Sequence, residues 1–71
     1  MTRFEKDLAI AAEAGEAYER MMGKREVQIA ELRTRMRTTK NGFIAKCAKQ
    51  DLDRELAEYR KLALAAGDEV R

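Results

Sequence analysis

From Phe4 onward, alternating steps of four and three residues land on Phe4, Leu8, Ala11, Gly15, Tyr18, Met22, Arg25, Ile29, Leu32 and Met36, and of these ten only Arg25 is neither apolar nor small. A stripe with that spacing is the buried seam of a coiled coil or a bundle helix, because 3.5 residues per repeat keeps one face towards a neighbour. No proline interrupts it. The economical expectation is one helix over about residues 3–38, roughly 54 Å long at 1.5 Å per residue. Gly15 and Gly23 each cost about 1 kcal/mol in a helix interior, so a bend at Met22-Gly23-Lys24 is the rival to a continuous helix.

Lys40-Asn41-Gly42 carries residues that accept a left-handed backbone and so ends the first helix, with a turn over 39–42. Apolar positions then resume at helical spacing through Ala45, Ala48, Leu52, Leu56, Tyr59, Ala63, Ala66 and Val70, with Gly67 as a stop signal. This predicts a second helix over about 43–66. The strand alternative takes Asn41-Gly42 as a β-hairpin turn between alternating residues. It is disfavoured because Phe43-Ile44 breaks the alternation and an isolated two-stranded hairpin is marginal in water. The fold class expected is all-α, an antiparallel helical hairpin forming a single domain over 1–71.

In such a hairpin facing residues have numbers summing to about 82 or 83. Leu52 then meets Ala30, Leu56 meets Glu26 or Val27, and Tyr59 falls near Gly23, where the missing side chain would make room for its ring. The first helix overshoots the second by about 12 residues at 1.5 Å each, leaving Phe4, Leu8, Ile10 and Ala11 without an intramolecular partner. A second stripe, Ile10, Ala14, Ala17 and Met21, widens the apolar arc and implies two neighbours. The expectation is a homodimer with a four-helix arrangement, its association face made of Phe4, Leu8, Ile10, Ala11, Gly15, Tyr18 and Met22.

The size of the chain points the same way. At 71 residues a single core rarely supplies more than about 3–5 kcal/mol, and small domains add disulfides, a metal or a partner. Cys47 is the only cysteine and histidine is absent, so an intrachain disulfide is impossible and no metal or cofactor site is expected. Cys47 itself reads as a small buried residue. Met21, Met22 and Met36 read as gap-fillers on a packed face. Charges at Glu5, Lys6, Asp7 and Glu13 break any signal-peptide core, and no apolar run reaches the ~18 residues of a membrane span. The expected location is the cytoplasm, with no membrane and no small-molecule substrate. Without histidine, a phosphate-cradling glycine loop or a convergent acid–base pair, no catalytic residue stands out, and the chain reads as a non-enzyme.

Charge is unevenly placed. Residues 1–22 and 51–71 are each net −2, whereas residues 23–50 are net +6. Arg33, Arg35, Arg37, Lys40, Lys46 and Lys49 fall within 17 residues that contain no acid. The three arginines suit a helix C-terminus, where the macrodipole favours cations. Lys46 and Lys49 begin the next helix, where the same field opposes them, and they are the part of the run that asks for an anionic partner. All six are expected to dock electrostatically on an acidic protein surface, with nucleic acid as the alternative partner.

A chain of this size that begins Met-Thr-Arg-Phe-Glu-Lys and holds one cysteine resembles the plasmid copy-number hairpin, which dimerises into a four-helix bundle and binds paired RNA loops. In size, richness in alanine and arginine, and lack of catalytic residues it also resembles small phage-encoded inhibitors, the anti-CRISPR proteins and quorum-sensing anti-activators. Both resemblances imply a binder without chemistry of its own. The function expected is a protein-binding module that inhibits or modulates a host or cellular protein; the alternative is a dimeric nucleic-acid-binding regulator using the basic tip.

Overall fold

The computed structural model describes residues 1–67 and is all-helical over them: α1 Arg3–Glu13, α2 Glu16–Thr38 and α3 Gly42–Ala65. Val70, the last position of the expected apolar series, lies outside the described residues. The principal extents are 41 × 26 × 20 Å.

The single first helix expected over 3–38 is in fact two. The break falls at Ala14-Gly15, and Gly23, the rival position, lies within α2. Ala14 adopts φ 50°, ψ 35°, and its N–H donates to the Ala11 carbonyl at 3.1 Å, which closes α1. Left-handed alanine costs roughly 1–2 kcal/mol. What offsets it is the face of α1. Once reversed, α1 sets Ala11 into a cluster with Met21, Met22, Leu62 and Ala63, and packs Phe4, Leu8 and Ile10 against that cluster. Full burial of one such large side chain is worth about 1.5–3 kcal/mol, so three of them, even half-buried, outweigh one strained residue. The overhang expected to need a second molecule is therefore packed within the chain, while Ala14 and Ala17 of the second stripe stay exposed.

Two of the three helix starts are capped by a side chain. Thr2 caps α1, its hydroxyl accepting from the Glu5 N–H at 3.2 Å. Asn41 caps α3, its side-chain oxygen accepting from the N–H groups of Phe43 at 2.9 Å and Ile44 at 3.3 Å. The Asn41-Gly42 pair thus opens α3 rather than only closing α2. Gly67, at φ 85°, takes the left-handed conformation just past α3, as a stop signal should.

α2 and α3 run side by side in opposite directions. Near α1 the contacts are Met21 and Met22 with Leu62 and Ala63; towards the 39–41 connection Ile29, Ala48 and Leu52 are buried. Arg3, at the start of α1, donates to Gln28 at 2.8 Å, so α1 covers α2 only up to that level. Beyond it the α2–α3 pair continues as an uncovered arm.

At the centre lies the one seam position that broke the apolar pattern. Arg25 is 1% exposed. Its Nη2 and Nε donate to Asp7 Oδ2 at 2.6 and 3.1 Å, and its Nη1 donates to Glu55 Oε2 at 3.0 Å. Glu58 Oε2 sits 3.9 Å from Nη1, too long for a hydrogen bond, and has no other hydrogen-bond partner among the described residues. Arg3 Nη1 adds a second cation, 3.4 Å from Glu55 Oε1. One guanidinium thereby holds carboxylates from α1 and α3 against α2. Only arginine presents donors in a planar fork of that reach.

Candidate interaction surface

The arm ends in the cationic run. Arg35 and Arg37 fall in the last turn of α2, where the dipole favours them, whereas α3 has no acid in its first turn. Arg33, Arg35, Arg37, Lys40, Lys46 and Lys49 are all exposed. Lys49 has a local partner, Asp53 one turn on at 3.2 Å. That pair is open to water and contributes at most a few tenths of a kcal/mol. Lys46 forms no ion pair within 4.0 Å among the described residues.

The apolar part of the tip was not singled out in the sequence. Asn41 holds the backbone N–H groups of Phe43 and Ile44, and their side chains stand outside the helix pair: Phe43 is 74% exposed and Ile44 44%. A phenylalanine open to water to this degree costs apolar surface that a folded monomer gains nothing by displaying. For Phe43 the signal was available, since it lies off the seam that runs Ala45, Ala48, Leu52; Ile44, one turn before Ala48, shares the seam's spacing and gave none. Cys47, expected to be buried, is exposed instead; like Phe43, it lies off that seam.

The association face proposed from the sequence has a different setting. Ala11 and Met22 are buried, while Phe4, Leu8, Ile10 and Tyr18 pack against the core within the same chain. Lys61 Nζ also lies 6.0 Å from the centre of the Phe4 ring. Gly15 stays at the surface, at the start of α2. The structure thus places six of these seven residues, all but Gly15, along one chain's own packing, and the six cations at the opposite end of the molecule.

Several open hollows indent the surface. One is bounded by Tyr18, Glu19, Met22, Gly23, Glu26 and Tyr59. There Tyr59 Oη donates to Glu26 Oε1 at 2.7 Å, but beyond its chain neighbours and the backbone of its own helix no atom lies within 4 Å of where a Gly23 Cβ would be. The Tyr59 ring therefore does not fill the space at Gly23. A second hollow lies at Arg33, Met36, Arg37 and Leu52. A third, between Asp7, Ile10, Met21 and Lys24, lies along the α1–α2 seam. No group of three or more histidine, cysteine or acidic residues among the described residues is placed to hold a metal ion. No helix among them is long and apolar enough to cross a membrane.

Comparison of the chain with protein-family models, with curated proteins and with solved structures gave no match.

Proposed function

We propose that this chain is a non-catalytic binding protein that modulates another protein by docking its tip, residues 33–49, on an acidic surface with an apolar recess. One observation carries the reading: Phe43 and Ile44 stand exposed among six cations with no acid in the run. Protein interfaces concentrate their energy in a few aromatic anchors at the centre, and a charged rim sets approach and register. A nucleic-acid site built from phosphate contacts would have use for the cations but none for Ile44.

The test is capture from a cell lysate by the immobilised protein, with and without nuclease, beside two variants: Phe43→Ser, and the charge reversal Lys40→Glu/Lys46→Glu. The expected result is a protein that survives nuclease treatment, is lost with Phe43→Ser and is weakened with the reversal. Capture that depends on nucleic acid and falls steeply with salt, as release of counterions from phosphate contacts demands, would overturn the reading in favour of a nucleic-acid regulator. Equal capture by all three proteins would remove the tip from the account.

A further inference from the structure

α2 carries a second charge pattern, which shares Arg33 and Arg37 with the tip and adds Glu19 and Glu26 below it. Glu19, Glu26 and Arg33 follow one another at seven-residue spacing, and Arg37 lies one turn further on. Seven residues are nearly two turns, about 10.5 Å of rise, so these four side chains share one face of the helix. It is the face away from α1. Contacts with α1 fall on Met21, Arg25 and Gln28, whereas Glu19 and Glu26 line the hollow with Gly23 and Tyr59, and Arg33 and Arg37 line the one with Met36 and Leu52. The face is thus acidic at its lower end and basic at its upper end.

We infer that this face binds a second copy of the chain, inverted about a two-fold axis that crosses α2 between Glu26 and Ala30. The inversion brings Glu26 of each copy against Arg33 of the other, and Glu19 against Arg37. The pattern itself selects the occupant. A nucleic acid or a uniformly acidic protein surface would meet the arginines and be repelled by Glu19 and Glu26, while an inverted copy matches both ends at once. A two-fold contact is self-complementary and closed, so it makes a dimer and not a filament.

Gly23 supports the assignment independently. A glycine in a helix interior costs about 1 kcal/mol, and beyond its chain neighbours and the backbone of its own helix nothing lies within 4 Å of the position its Cβ would occupy. The monomer gives no reason for it, whereas close approach of a second backbone does. Ala30, exposed on the same face and beside the axis, is equally small. The flanking apolar area is supplied by Leu56, which is 37% exposed, and by Val27. In this dimer the two tips point away from one another, so Phe43 and Ile44 remain open at both ends.

The test is sedimentation equilibrium over a micromolar to millimolar concentration series, with folding of every variant checked by circular dichroism. The wild-type chain should reach twice its 8.1 kDa monomer mass. Glu26→Arg alone and Arg33→Glu alone should each weaken association by about tenfold or more, as facing like charges do. Mixing the two single variants in equal amounts should restore the dimer, because both of the 26–33 pairs in the mixed dimer are then complementary. The combined Glu26→Arg/Arg33→Glu chain should self-associate within about threefold of wild type. Arg33→Glu breaks no hydrogen bond or ion pair among the described residues, so its result stands even where Glu26→Arg perturbs the Tyr59 bond. A wild-type chain that stays monomeric throughout overturns the inference. So does a dimer indifferent to both reversals, or single variants that fail to rescue each other. None of these outcomes bears on capture of a partner by Phe43, so this inference and the proposed function fail separately.

Discussion

Arg25→Met is the substitution with the largest consequence that can be worked out from the structure. Methionine matches the stem of arginine out to about Nε and packs flexibly, so the change removes the guanidinium while keeping most of the stem's packing. It leaves Asp7, Glu55 and Glu58 converging on a site with side-chain exposures of 13%, 9% and 23%. The remaining cation nearby, Arg3, is 56% exposed and sits 3.4 Å from Glu55 alone. Breaking a buried ion pair by removing one partner costs about 3–5 kcal/mol, and the partial exposure of Asp7 and Glu58 places this case near 3. A chain of this length has a total stability of about 4–10 kcal/mol at 0.05–0.15 kcal/mol per residue, so one substitution removes between a third and most of it. Urea denaturation followed by the helical circular dichroism signal measures the loss as a shift in midpoint at unchanged slope. The reasoning also requires a rescue. Arg25→Met combined with Asp7→Leu and Glu55→Leu should recover most of the lost stability, since apolar replacement of a whole buried charge cluster is often neutral or stabilising by about 1–4 kcal/mol. A single variant within 1 kcal/mol of wild type, or a triple variant no better than the single, would refute the account of Arg25 as a satisfied buried charge.

Three further outcomes follow from local geometry. Asn41→Ala removes the acceptor for two N–H groups at the start of α3 and should lower stability by about 1 kcal/mol in the same urea titration. Ala14→Gly relieves the left-handed alanine between α1 and α2 and should raise stability by up to about 1 kcal/mol, the strain relief exceeding the added freedom of the unfolded chain; a destabilised Ala14→Gly chain would mean that Ala14 is not left-handed in solution. Cys47 is exposed, so a thiol reagent should modify it in the folded protein at nearly the rate seen in urea, with no change in helix content.

Much of this architecture is legible in the amino-acid order, and the exceptions are physical rather than accidental. The stop at Gly67 and the burial of Met22, Ile29, Ala48 and Leu52 follow from turn chemistry and heptad spacing, which are local properties; α2 also ends where expected, at Thr38, but through an extended backbone at Thr39 and Asn41 rather than a left-handed one. The break at Ala14 is not local. Alanine is the strongest helix former, and its left-handed conformation is selected because reversing α1 buries Ala11 and packs Phe4, Leu8 and Ile10 against the cluster shared by α2 and α3. The solitary charge in the seam was visible as an interruption, yet its meaning depended on Asp7, Glu55 and Glu58, which lie 18, 30 and 33 residues away. A seam arginine asks which acids can reach it, and spacing within one helix cannot answer. At the tip the cations were plain in the sequence. The anchors beside them, Phe43 and Ile44, were hidden by being apolar, since apolar residues near a helix start are usually assigned to the core.

The buried Arg25 also changes how the three helices can slide. A seam of alanines and methionines is nearly uniform along its length, so shifting α1 by one turn against α2 would cost little in apolar contact. The same shift would carry Asp7 about 5.4 Å along the axis, well beyond the 2.6 Å at which its carboxylate now meets the guanidinium. It would strip the Asp7 carboxylate of its partner and leave the buried guanidinium hydrogen-bonded to Glu55 alone. The charge cluster therefore acts as an index mark on an otherwise smooth rod: it selects one alignment of the helices, and with it the level at which α1 stops and the bare arm begins.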